Sequence, residues 1–159
     1  MRDPVPSDTS ALLALAVATG LFSPAEAEGL LGGILAALHA GALPPLHSVT
    51  VHLDADGEPN GWAYFAPDAH AEGVWELWWI GVSPARHDSG VGSRLLAHVE
   101  ERAKVSNARV LLIATSSLPA LARTRRFYAR RGFVECGCIP DFYADGDGKI
   151  TFAKRLQII

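Results

Sequence analysis

A chain of 159 residues that is 49% apolar and 19% charged can bury a real core and is too apolar to be disordered. Its net charge of −3 gives no electrostatic basis for binding nucleic acid or an anionic membrane. What remains is a single globular domain over residues 1–159, with no internal repeat and no low-complexity linker.

Met1–Ser7 is short and holds two prolines, so any first strand here is short or frayed. Ser7, Asp8, Thr9 and Ser10 offer N-caps for a helix from about Ser10 to Thr19, stopped by Gly20. Within it, Ala11–Ala18 is apolar, but eight residues cannot span a bilayer, and Asp3 and Asp8 offset Arg2 where a secretory signal needs positive charge. A soluble, cytoplasmic protein is the expectation. Ser23-Pro24-Ala25-Glu26 is a capping box, and its helix runs to about Ala40 with Leu30, Leu31, Ile34, Leu35 and Leu38 as an apolar stripe.

Ser48–Leu53 alternates as a strand does, Asp54–Gly57 is a turn, and Gly61–Ala66 returns as the second arm of a hairpin. After a loop at Pro67–Gly73 comes the apolar, Trp-rich strand Val74–Val82. Period two puts Glu76, Trp78, Ile80 and Val82 on one face and Trp75, Leu77 and Trp79 on the other. A helix over Gly90–Lys104 carries Val91, Leu95, Leu96, Val99 and Ala103 on one stripe. Arg109–Thr115 is nearly all apolar and reads as a strand buried on both faces, suited to a parallel pair. A helix from about Pro119 to Arg131 ends at Gly132, Phe133–Ile139 is a strand, Pro140–Gly148 a loop and Lys149–Leu156 the last strand. This order predicts an α/β layering with a central mixed sheet flanked by helices.

The stretch Val82–Leu96, VSPARHDSGVGSRLL, joins the Trp-rich strand to a helix through Gly90-Val91-Gly92. Glycines there allow positive φ and close approach of a ligand to the backbone. The first N–H groups of the helix lack intrahelical partners, so the junction attracts phosphate. It is neither a Walker loop nor a dinucleotide fingerprint, since no Lys-Ser/Thr follows and Leu95 stands at the third glycine position. Val82, Pro84, Gly90 and Gly92 resemble the acyl-CoA site of the GCN5-related N-acetyltransferase (GNAT) family, with His87 where Arg or Gln is usual and Asp88 where Gly is usual. Phe127–Phe133, FYARRGF, resembles a second segment of the same family.

The resemblance, covering about Ser48 to Leu156, implies a GNAT-like fold and acetyl-CoA as acetyl donor. It implies Tyr128 as the general acid that protonates the leaving thiolate, for which a Tyr hydroxyl is a suitable donor. It also implies cofactor contacts from Ile80, Val82, His87, Asp88, Ser89, Gly90, Val91, Gly92, Ser93, Thr124 and Phe127. Leu121 stands where many members have an Asn. Family members usually begin with a strand, and homodimers are common among them. Glu76 lies six residues before Val82, where some members hold a general base. Desolvation among Trp75, Trp78 and Ile80 should raise its pKa, although it could equally pair with an Arg. Gly81 and Pro84 suggest that the strand end splays, freeing backbone groups for pantetheine amides.

Several features stay outside this chemistry. Cys136 and Cys138 form a lone C-x-C without further ligands and read as small core-filling residues in a reducing compartment. His39, His47, His52, His70 and His98 have no ligand spacing, so no metal is expected. The cluster Arg123, Arg125, Arg126, Arg130 and Arg131 is either a solvated helix face or an anion contact. The function that follows is acetyl transfer from acetyl-CoA to a primary amine of a small molecule or peptide by direct attack. The alternatives are a non-catalytic acyl-CoA-binding module and a protein-interaction domain.

Overall fold

The computed structural model describes residues 1–156. Its helices are α1 (Thr9–Ala18), α2 (Pro24–Glu26), α3 (Gly33–His39), α4 (Val91–Val105) and α5 (Ala122–Arg130). Its strands are β1 (Ser48–Leu53), β2 (Pro59–Pro67), β3 (Val74–Val82), β4 (Val110–Ser116), β5 (Val134–Ala144) and β6 (Asp147–Arg155). The strands lie in the order β1-β2-β3-β4-β6-β5, with β3 and β4 parallel and β6 antiparallel to both β4 and β5. The chain clusters into two compact units, Met1–Ala66 with Trp79–Glu101, and Pro67–Trp78 with the chain from Arg102 onward.

In the first unit the expected capping box forms: the Ser23 N–H donates to Glu26 Oε2 at 2.8 Å and the Glu26 N–H to Ser23 Oγ at 3.3 Å. Between α2 and α3 the chain is a π-helical stretch, Ala27–Gly32, rather than continuous α-helix. Ala27, Leu31 and Leu35 face the core, joined by the half-buried Ile34 and Leu38, but Leu30 is exposed, contrary to the expected stripe. The wider turn changes the angle between successive side chains, and a 3.6-residue period no longer predicts the face. This core is closed by Leu12, Leu15 and Ala16 of α1, Val49 and Val51 of β1, and Trp62 and Tyr64 of β2. In place of a first strand, the amino terminus makes one bridge, Arg2 to Val51. The Arg2 guanidinium holds the buried Asp8 carboxylate at 2.6 Å.

The β1–β2 hairpin turns on Asp54, whose carboxylate accepts the N–H groups of Asp56 and Glu58, and on Gly57 at φ +85°. Gly61 and Gly81 serve by lacking a side chain. A Cβ on Gly61 would lie 2.9 Å from both Val91 and Leu95, and one on Gly81 would lie 2.7 Å from Trp62 Nε1.

In the second unit the parallel ladder runs from Val74↔Val110 to Leu77↔Ile113. Trp75, Leu77, Leu111, Ile113, Ile150 and Phe152 are buried, together with Tyr128 of α5 and Phe133. Gly132, at φ +83°, ends α5 as expected. Three expectations fail here. β4 is buried on one face only, that of Leu111 and Ile113, with Leu112 half-buried and Ala114 exposed on the other. The residues expected as a loop, Pro140–Gly148, instead complete β5, turn at Asp145-Gly146 and open β6, with Ala144 paired to Asp147. Gly146 at φ +79° and the Asp141 carboxylate, which accepts the Gly146 N–H at 2.7 Å, build that turn. Pro140 is tolerated because β5 is the edge strand of the sheet order, where a missing N–H need not break a ladder. Cys136 and Cys138 are exposed rather than core-filling, since every residue of β5 is exposed. Cys136 is the bulged residue between the pairs Glu135↔Phe152 and Gly137↔Thr151.

Candidate active site

The turn between β3 and α4 lies in the first unit. Ser83 leaves β3 with its N–H on the Asn60 carbonyl at 2.9 Å, and Pro84–Arg86 forms a single 3-10 turn. The Ser89 N–H and hydroxyl both donate to the Arg86 carbonyl, at 3.2 and 2.5 Å. Asp88 at φ +64° and Gly90 at φ +81° then bring the chain into α4. Asp is among the few non-glycine residues that accept this conformation. His87, Asp88 and Ser89 are exposed.

Val91 points inward with Leu95, Leu96, Val99 and Ala103, all buried as the stripe predicted. Only the backbone of Val91 is therefore available to a ligand. On the open side of Gly90 the nearest group is the Arg94 guanidinium, whose Nη1 lies 3.7 Å from where a Cβ would be. A bare Cα, a helix N-terminus and a guanidinium thus share one turn, and this set fits a pyrophosphate.

Arg94 was not singled out by the sequence reading. Its Nε donates to His52 Nε2 at 3.3 Å, and His52 Nδ1 lies 2.6 Å from Oδ1 of the buried Asn60. With Nε2 accepting, Nδ1 carries the proton and donates to Asn60. The available signal was the i, i+4 spacing from Gly90 to Arg94 on the exposed side of α4. His52 and Asn60 had no sequence signal, because the hairpin alone brings them together.

Ile80 and Val82, both half-buried, follow the last registered β3–β4 pair. In the second unit Glu76 is half-buried on β3, opposite Leu112. Among the described residues it makes no hydrogen bond or ion pair, so the alternative of an Arg partner is not what the structure shows. Tyr128 is 4% exposed, its ring among those of Phe127, Phe133 and Phe152 at 5.5–6.1 Å. Burial pushes its phenol pKa well above the usual value, so it stays protonated near neutrality. Its hydroxyl has no hydrogen-bond partner among the described residues. Thr124 and Phe127 are half-buried on α5, and Leu121 ends the 3-10 turn before it.

The arginine cluster divides. Arg125 donates to the carbonyls of Ser116 and Leu118 at 2.7 and 2.9 Å, and Arg131 lies over the Phe127 ring at 5.7 Å. Among the described residues no group of three or more His, Cys, Asp or Glu could hold a metal ion. No described helix is long and apolar enough to cross a membrane.

The family model for the acetyltransferase (GNAT) family matches residues 28–133. A solved structure assigned to that family, from Desulfovibrio desulfuricans, is 30% identical, covers 99% of this chain and 98% of its own, and superposes with a TM-score of 0.87. An amino-acid acetyltransferase from Ralstonia nicotianae is 38% identical over 88 residues. That match takes in 55% of this chain but 18% of the relative's length. An aminoglycoside 6′-N-acetyltransferase solved with coenzyme A shares the fold at a TM-score of 0.75 and 16% identity, over 96% of this chain and 93% of its own.

Proposed function

The chain belongs to the GNAT acetyltransferase family, and from that membership we propose that it transfers the acetyl group of acetyl-CoA to a primary amine of a small molecule or peptide by direct attack. The observation that carries this reading is the turn itself, with Gly90 at φ +81° opening α4 beside Arg94.

In this reading the turn from His87 to Ser93 holds the pyrophosphate, chiefly through backbone N–H groups of Gly90, Val91, Gly92 and Ser93. The backbone of Ile80 and Val82 pairs with the pantetheine amides, and Thr124 and Phe127 border the thiol end. Acetyl-CoA supplies an activated thioester carbonyl. Glu76 takes a proton from the entering ammonium and passes it to solvent. The free amine forms the C–N bond as the C–S bond breaks and gives its second proton to solvent. Tyr128 delivers its hydroxyl proton to the departing sulfur and is reprotonated from solvent. Starting from an ammonium, the turnover yields one amide and one thiol and releases one proton. Among the described residues the Tyr128 hydroxyl is unpartnered and the Glu76 carboxylate unpaired, which supports these roles, since neither must first be detached from such a partner. Two free, exposed cysteines suit a reducing compartment, and we place the enzyme in the cytoplasm.

The test is release of CoA thiol across an amine library, with Gly92→Asp as control. A carboxylate where phosphate should sit abolishes the stabilisation by acetyl-CoA while the apo protein stays folded. Unchanged CoA affinity in that variant places the donor elsewhere. Binding by the wild type without thiol release for any amine makes the protein a sensor rather than an enzyme.

A further inference from the structure

We infer that the acceptor is a singly charged amine on an apolar, alkyl or aryl body, seated by Glu76 and Trp78 on the uncovered face of the second unit's strands. The inference rests on the transferase reading and adds the substrate class.

Register defines the face. Glu76, Leu112, Ala153 and Val134 stand in one row across β3, β4, β6 and β5. Ala114, Thr151 and Gly137 form the next row, and Trp78 lies two residues beyond Glu76 on the same side of β3. The opposite face of these strands holds the buried Leu77, Ile113, Ile150 and Phe152. This face is open: Trp78 is 53% exposed and Val134 67%, Ala114 is exposed, and Leu112, Thr151 and Ala153 are half-buried. Trp62 and Trp75, by contrast, are almost fully buried. A contiguous apolar surface of this kind marks a binding site more often than a solvated wall.

Charge decides the occupant. Glu76 is the face's one carboxylate in these rows, half-buried and unpaired among the described residues. A low-polarity surround strengthens its attraction for an ammonium. Residues two apart on a strand are about 6.5–7 Å apart, so an ammonium at Glu76 lays its substituent over the Trp78 indole. The cations on this face lie at its two ends. Lys149, in the row of Ser116 and Ile139, reaches the Phe142 ring at 4.7 Å, and Arg155 stands in the row of Val74 and Val110. They oppose a second positive charge, so polyamines and lysine-rich peptides fit poorly, whereas an arylalkylamine fits.

The experiment measures thiol release with 2-phenylethylamine, hexylamine, spermidine and a lysine-rich peptide, for wild type, Trp78→Ala, Trp78→Phe and Glu76→Gln. Wild type should favour the two monoamines over spermidine at least tenfold in kcat/KM. Trp78→Ala should raise KM for 2-phenylethylamine about tenfold or more with kcat nearly kept, and Trp78→Phe should restore most of it. Glu76→Gln should lower kcat as well. A preference for spermidine or the peptide, or a Trp78→Ala variant with unchanged KM, overturns the substrate class and leaves the transferase reading standing. No thiol release from any amine overturns both. Sedimentation of the same variants covers the remaining occupant: if Trp78→Ala turns a dimer into a monomer and the amine preference is unmoved, the face belongs to a second copy and the inference fails.

Discussion

Tyr128 and Asp88 carry opposite kinds of consequence. Tyr128 is held by aromatic neighbours and by burial, so removing its hydroxyl alone leaves the packing intact. If Tyr128 is the general acid proposed, Tyr128→Phe should lower kcat by about 10²–10⁴-fold, the usual span for such a group, with little change in acetyl-CoA affinity. Stopped-flow turnover alongside a binding titration checks both halves. Asp88 places a negative charge in a positive-φ turn proposed to hold an anion. Asp88→Gly keeps the conformation and removes the charge, so acetyl-CoA should bind several-fold more tightly, measured by calorimetry. Asp88→Val, β-branched at positive φ, should instead lower stability.

At the level of elements, the close approach of β2, the end of β3 and α4 depends on two missing side chains. A Cβ on Gly81 meets Trp62 Nε1 at 2.7 Å, inside a core where Phe22 and Trp79 already crowd that indole. Overpacking of this kind costs about 1–3 kcal/mol, and Gly81→Ala should lower the denaturation midpoint accordingly, read by chemical unfolding. The buried Trp62 Nε1 has no hydrogen-bond partner among the described residues. Trp62→Phe removes that unsatisfied donor, so part of its packing loss should be offset and the variant should fall less than a typical Trp truncation. β5 differs from the other strands because all its residues are exposed and the strand lies at the sheet edge. Its bulge at Cys136 and the Pro140 within it both discourage pairing with stray strands.

For the whole molecule, two groups in the first unit tie stability to pH. Burial lowers the His47 pKa, and the Arg2 guanidinium lowers that of Asp8. A histidine whose folded pKa is depressed destabilises the fold as pH drops through its unfolded value near ~6.5, because the unfolded chain then binds the proton more readily. The contribution of Asp8 is present above its unfolded value near ~3.9 and is lost as pH falls through the lower folded value. Thermal unfolding should therefore weaken in two steps on acidification. His47→Gln should remove the first step and Asp8→Asn the second. A saturating donor acts in the opposite sense: acetyl-CoA at 100 times its Kd adds about 2.7 kcal/mol, enough to raise Tm by roughly 5–10 °C in a chain of this size.

Local order and the position of the turn were readable without coordinates. The capping box at Ser23, the stripe of α4, the apolar strand β4 and the glycines that open α4 all depend on residues close together in the chain, where spacing and side-chain type already limit the conformation. Tertiary structure alone decided the rest. Leu30 left its stripe because a π-helical stretch changed the period, and Cys136 and Cys138 lost their expected burial because strand order put β5 at the edge. Arg94, His52 and Asn60 met because a hairpin folded against a helix, and Glu76 has no basic partner among the described residues because register set it opposite Leu112. Period and propensity say which way a side chain turns relative to its own element; only the packing of distant elements determines what it then faces.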